Sequence, residues 1–197
     1  MIATLHRRKV VRRLLENRGG MLVVAGLGSS AWDCADAGDD PLTFPLWGAM
    51  GAAAMIGLGL ALAQPRRRVL VVTGDGEMLM GLGSLATIGA QRPLNLAIVV
   101  LDNERYGETG MQKTHTASGA DLASVARACG FAEARVVRRE PELGSVRTSL
   151  RRTGNGPLFF QVKVRADPLP LVLPPRDGNV LRHRFREALL GENGANR

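Results

Sequence analysis

Apolar and polar positions along this chain change period several times. Two uninterrupted apolar runs, Val69 to Thr73 and Leu96 to Leu101, have the length and β-branched content of buried strands. Met21 to Ala25 and Leu158 to Val164 are similar, and Ala134 to Val137 is a shorter strand. Between them the period lengthens. Thr4 to Arg18 places Leu5, Val10, Val11, Leu14 and Leu15 on one face of a helix that Gly19-Gly20 stops. Met78 to Ala90, Leu122 to Cys129, Glu142 to Arg152 and Val180 to Leu190 are further helices. Leu46 to Ala63 carries no charge over 18 residues, enough for a membrane-helix candidate. The buried strand that follows favours a helix inside a domain core.

The alternation of strand and helix predicts an α/β fold: three layers, α/β/α, around a mostly parallel sheet. Residues 1–165 form the domain, and 166–197 a tail, extended and proline-rich over Pro168 to Asp177, then helical. The last seven residues read as disordered.

The candidate chemistry lies where apolar runs break. The first run ends in Gly74-Asp75-Gly76 and the second in Asp102-Asn103. Two parallel strands joined by a crossover helix bring Asp75 and Asn103 to the same carboxyl edge, where such sheets bind ligands. Gly74 and Gly76 allow close backbone approach, and a carboxylate and an amide oxygen are hard ligands suited to Mg²⁺ beside a diphosphate. Gly26-Leu27-Gly28-Ser29-Ser30-Ala31 after the first strand is close to a dinucleotide fingerprint, but the acidic strand end expected about 20 residues later is missing.

Gly74-Asp75-Gly76, separated from Asn103 by 26 residues, resembles the signature of thiamin diphosphate enzymes. The resemblance implies that Asp75, Asn103 and the backbone carbonyl of Arg105 hold Mg²⁺, and that Ser29 and Ser30 contact the diphosphate along with Gly74, Asp75, Gly76 and Glu77. Gly48-Ala49-Met50-Gly51 resembles the GxMG element of acetolactate synthase and related decarboxylases. It implies that the Gly48 carbonyl meets the aminopyrimidine and that Met50 wedges between the two cofactor rings. The polar run from Arg105 to Thr116 is a natural lid. It resembles the matching loop of phosphonopyruvate and sulfopyruvate decarboxylases, with Thr109, Gln112 and His115 placed to meet substrate. There are two departures: Asp102 stands where the first Asn of the usual pair would be, and Glu77 brings a carboxylate where a small residue is usual.

The same resemblance implies a missing part. The glutamate that activates the cofactor belongs to a pyrimidine-type domain, and no length remains for one here. A partner α-type subunit is expected to carry it, as in split 2-oxo acid decarboxylases, within a homo- or hetero-oligomer. The substrate class implied is a small anionic 2-oxo acid. An acetolactate synthase-like carboligase and a non-catalytic scaffold of the same fold are the alternatives.

Composition adjusts this picture modestly. The net charge of +8 and a pI near 10.9 raise nucleic acid as a partner. The basic residues are scattered, however, and with one Tyr and two Trp the chain lacks stacking platforms. Cys34 and Cys129 have no metal-type spacing and fit a reducing cytoplasm. The chain shows no clear secretory signal, and no membrane association is expected.

Overall fold

A computed structural model describes residues 4–191. Six parallel strands form one sheet in the order β2-β1-β3-β4-β8-β7. They are β1 (Leu22–Ala25), β2 (Thr43–Pro45), β3 (Val69–Gly74), β4 (Leu96–Asp102), β7 (Glu133–Val137) and β8 (Leu158–Lys163). A two-stranded antiparallel ribbon, β5 (Arg105–Tyr106) with β6 (Gln112–Lys113), stands apart from it. Strand register explains the two cores. Val23, Leu70, Val72 and Val99 face one way, covered by α1 (Arg7–Leu15), α2 (Ser29–Asp36) and α7 (Glu140–Arg151). Val24, Val71, Ile98 and Phe159 face the other, covered by α3 (Ala53–Ala63), α4 (Asp75–Met80), α5 (Ser84–Gln91), α6 (Leu122–Ala128) and α8 (Gly178–Leu190). The expected three-layer α/β/α arrangement is therefore present. Because strand side chains alternate and both faces are covered, the central strands β1, β3 and β4 are apolar over most of their length, and polar residues gather at the carboxyl ends and on β7 and β8.

Three expectations need correction. The uncharged stretch from Leu46 is not one helix: β2 ends at Pro45, and α3 starts only at Ala53. Between them Ala49 and Gly51 take positive φ, 58° and 84°, which turns the chain sharply. The 11-residue α3 is too short to span a bilayer, and no helix among the described residues is long and apolar enough to do so. Nor is α3 fully buried: Ala53, Ala54, Gly57, Leu58 and Ala61 pack on the sheet, whereas Met55 and Leu62 are exposed.

The expected helix Met78 to Ala90 is two helices, starting earlier and broken at Gly81-Leu82-Gly83. A Cβ on Gly81 would lie 2.0 Å from the Gly51 carbonyl oxygen, so the break follows the close approach of two backbones. The run Arg105 to Thr116 is the β5–β6 ribbon followed by a short 3₁₀ turn, His115–Ser118. Two smaller elements escaped the pattern, β2 and the pairing of Leu5 beside Val164 at the end of β8.

Beyond β8 the chain runs extended past α1, where Arg8 donates to the Pro170 carbonyl, and past Trp47, whose indole N–H donates to the Pro175 carbonyl. Asp177 caps α8, and Phe185 packs edge-on against Phe44 of β2 at 5.5 Å. This covers β2, a sheet edge otherwise open to pairing. Of the seven terminal residues read as disordered, 192–197 lie outside the described residues.

Candidate active site

Strand order reverses at β1: the chain steps outward to β2, then returns to β3 on the other side. The loops after β1 and β3 therefore part, opening a crevice at the carboxyl edge. A cavity of about 490 Å³ lies there, with Ser29 and Ser30 on one wall, Asp75 and Asn103 at its floor, and Met50 and Tyr106 at its rim. Gly74, Gly76, Glu77 and Arg105 also line it.

Asp75 is the first residue of α4 and is almost wholly buried. Thr114 Oγ1 donates to its Oδ2 at 2.6 Å, and Thr116 Oγ1 lies 3.3 Å from the same atom. Burial pushes the Asp75 carboxyl up to about 6, against the threonine hydrogen bonds and with help from the nearby Asp102. Asn103 Oδ1 accepts from the Arg105 amide at 2.9 Å, which turns the chain and leaves the amide oxygen a second lone pair.

Asp102 points away from the cavity. Its Oδ2 accepts from Gln161 at 2.6 Å and pairs with Lys163 at 2.8 Å, while Oδ1 accepts from Thr116 at 2.8 Å. Burial alone would lower the Lys163 ammonium; Asp102 and Glu104 outweigh it and raise it. The acidic residue at this position is thus compensated from β8.

Glu77 lines the cavity with one carboxylate oxygen engaged and the other buried without a hydrogen-bond partner. Its Oε2 accepts from Thr73 Oγ1 at 2.7 Å and from the Leu27 amide at 3.1 Å. Burial raises its carboxyl, opposed by the Thr73 hydroxyl, the Leu27 amide and the amides of Ala53 and Gly51. A Cβ on Gly26 would lie 2.0 Å from Oε2, so this arrangement requires glycine there. One carboxylate oxygen thereby ties the loop after β1 to the end of β3.

Other expected residues stand further out. Met50 is exposed at 60% on the rim, and Gly48 is exposed and does not line the cavity. His115 is exposed on its 3₁₀ turn and also lies outside the lining. Thr109, which does line the cavity, and Gln112, which does not, bond each other across the ribbon tip. The residues that sequence reasoning missed flank His115: Thr114 and Thr116 are buried on Asp75. Their alternation about an exposed His is a faint signal of that arrangement. Tyr106 was also missed; a Cβ on Gly76 would lie 2.6 Å from its ring.

The donor set suits a hard cation held jointly with an anionic ligand. Asp75, Glu77 and Glu108 border the cavity against one guanidinium, Arg105, so a diphosphate would need a cation beside it. Among the described residues no group of three His, Cys, Asp or Glu forms a metal cluster, so such a cation would rest on amide and carbonyl oxygens as well.

A switch-point crevice with a Gly-Asp-Gly turn and a spaced Asn defines the class, and the comparison agrees: residues 29–162 match the family described as thiamine pyrophosphate enzyme, C-terminal TPP binding domain, and the chain belongs to it. Within that family it is 37% identical over 187 residues to sulfopyruvate decarboxylase subunit beta of Methanothermobacter thermautotrophicus, covering 95% of this chain and 97% of that one. The subunit beta of Methanocaldococcus jannaschii is 41% identical over 123 residues, 62% of this chain and 65% of the other. Phosphonopyruvate decarboxylase of Streptomyces viridochromogenes is 40% identical over 158 residues, covering 80% of this chain but 39% of the relative's length. Benzoylformate decarboxylase from Polynucleobacter necessarius has the same fold, with a TM-score of 0.70 at 22% identity over 85% of this chain and 34% of that chain.

Proposed function

We propose that this chain is the diphosphate- and Mg²⁺-binding subunit of a split thiamin diphosphate-dependent decarboxylase acting on a small anionic 2-oxo acid. The observation that carries this reading is the convergence of Asp75, Asn103, Ser29, Ser30 and Met50 on one cavity. When bound, the cofactor supplies the electron sink for loss of CO₂. The rest falls to this chain. Asp75, Asn103 and the Arg105 carbonyl hold Mg²⁺, with the Asp75 carboxylate oriented by Thr114 and Thr116. Ser29 and Ser30 donate to the diphosphate. Met50, on its turn between β2 and α3, would stand against the cofactor rings, and the β5–β6 ribbon would cover the substrate and limit water.

The partner is an α-type subunit that contributes the activating glutamate at a shared interface. Coverage supports that division: the chain matches nearly all of an archaeal β subunit and about two fifths of a phosphonopyruvate decarboxylase. Free thiols at Cys34 and Cys129 fit a reducing cytoplasm.

Co-purification from the native source tests this directly. A second chain with bound thiamin diphosphate, and CO₂ release from sulfopyruvate or phosphonopyruvate, is expected. Met50→Ala should lower turnover about a hundredfold while the unfolding midpoint stays put. A lone chain that binds neither cofactor nor Mg²⁺ refutes the proposal.

A further inference from the structure

The opposite, amino edge of the sheet holds a second cavity, of about 310 Å³, bordered by Arg18, Arg66, Arg67, Arg68 and Arg151. Three separate segments deliver these side chains: the end of the α1 region, the turn before β3, and the end of α7. Their convergence is a tertiary fact.

Two of these guanidiniums are deeply buried, Arg68 at 6% exposure and Arg18 at 9%. Arg18 has a counter-ion, its Nη2 lying 2.7 Å from Asp40, yet its Nη1 has no hydrogen-bond acceptor. Arg68 has no counter-ion among the described residues. Its Nε and Nη1 are buried without an acceptor, and its one hydrogen bond, from Nη2 to the Ser149 carbonyl, is a long 3.5 Å. Arg67 is held in place by donating to the Gly20 carbonyl at 3.2 and 2.8 Å. Arg151 is anchored on the carbonyls of Glu16 and Asn17. The Glu16 carboxylate itself pairs with Arg147 at 3.0 Å. Among the described residues, Asp40 is therefore the carboxylate paired with this group of five.

An arginine stays charged in a protein, and a buried charge needs a partner. Unused donors fixed in planar forks match the oxygens of a tetrahedral anion. We propose that this cavity binds a small tetrahedral oxyanion, free or as the phosphoryl or sulfonyl group of a small molecule. Arg68 is its central ligand, with Arg66, Arg67 and Arg151 around it. Five residues of β3, Val69 to Thr73, lie between Arg68 and the Gly-Asp-Gly turn, about 20 Å of strand. The anion site is thus distinct from the cofactor site and stands whether or not the decarboxylase reading does.

The test is thermal unfolding of the full chain in inorganic phosphate against chloride at equal ionic strength. The wild-type midpoint should climb and saturate with phosphate. Arg68→Met should need at least tenfold more phosphate for the same rise, and in chloride alone it should melt above wild type, because a buried unpaired charge is gone. Arg182→Met, on the exposed side of α8, should respond as wild type does. Should Arg68→Met fail to fold, the double variant Arg66→Ser/Arg151→Ser reads the same tenfold loss. Repeating the titration with glycerol phosphate and ethanesulfonate separates a free ion from a substituted one by which is tighter. Equal midpoints in phosphate and chloride, or a phosphate response that survives the arginine variants, would overturn the site; in the latter case the anion binds at the carboxyl edge.

Discussion

The Glu77 carboxylate reaches across the crevice to the backbone amide of Leu27, 3.1 Å away and 50 positions earlier in the chain. That bond turns a residue that looked hostile to a diphosphate into a fastening between the two loops that would cradle it. Glu77→Ala strands the Thr73 hydroxyl and the Leu27 amide together, and should cost about 1–3 kcal/mol. Gly26→Ala, which drives a methyl into the carboxylate, should do much the same. Urea denaturation of both variants checks this; a change below about 0.5 kcal/mol would show the fastening to be idle.

Stability should also depend on pH through Asp75. Its folded-state pKa, about 6, lies above the ordinary value of 3.8, so the folded protein holds the proton more tightly. The associated stability is complete below about pH 4 and is lost as pH rises toward 6. About two pKa units correspond to roughly 3 kcal/mol in the metal-free chain. Asp75→Asn should remove that slope, so the difference between the two proteins, followed by denaturation from pH 4 to 7, isolates it. Parallel curves would contradict the assignment.

Lys163 and Asp102 form a buried pair, and removing one member should be costlier than removing both. Lys163→Met leaves the Asp102 carboxylate without its cation and should destabilise by about 3–5 kcal/mol. Adding Asp102→Asn should recover part of that loss. A double-mutant cycle gives the coupling, and simple additivity would mean the pair is not acting as one unit.

The tail contributes by covering β2. Phe185→Ala should cost about 3 kcal/mol through lost packing on Phe44. Arg184→Ala, which breaks an ion pair with the exposed Asp39, should cost less than about 1 kcal/mol. Calorimetry on the two variants would rank them; the reverse order would show that charge rather than packing holds the tail.

The chain's own order determined the class of fold and one edge of the site. Short apolar runs rich in β-branched residues read as strands covered on both faces, and Gly74-Asp75-Gly76 and Asn103 sit at strand ends, where a local pattern is enough to place them. The turn at Gly48 to Gly51 was legible as a motif but misjudged as helix, because what bends it is contact with Gly81, 30 residues on. Only the tertiary structure decided which polar groups meet. Thr114 and Thr116 on Asp75, Lys163 beneath Asp102, Glu77 against Leu27, and five arginines around one cavity each join segments far apart in sequence. Side-chain hydrogen bonds and ion pairs act over a few ångströms in space, and neither periodicity nor spacing along the chain records which distant residues folding brings that close.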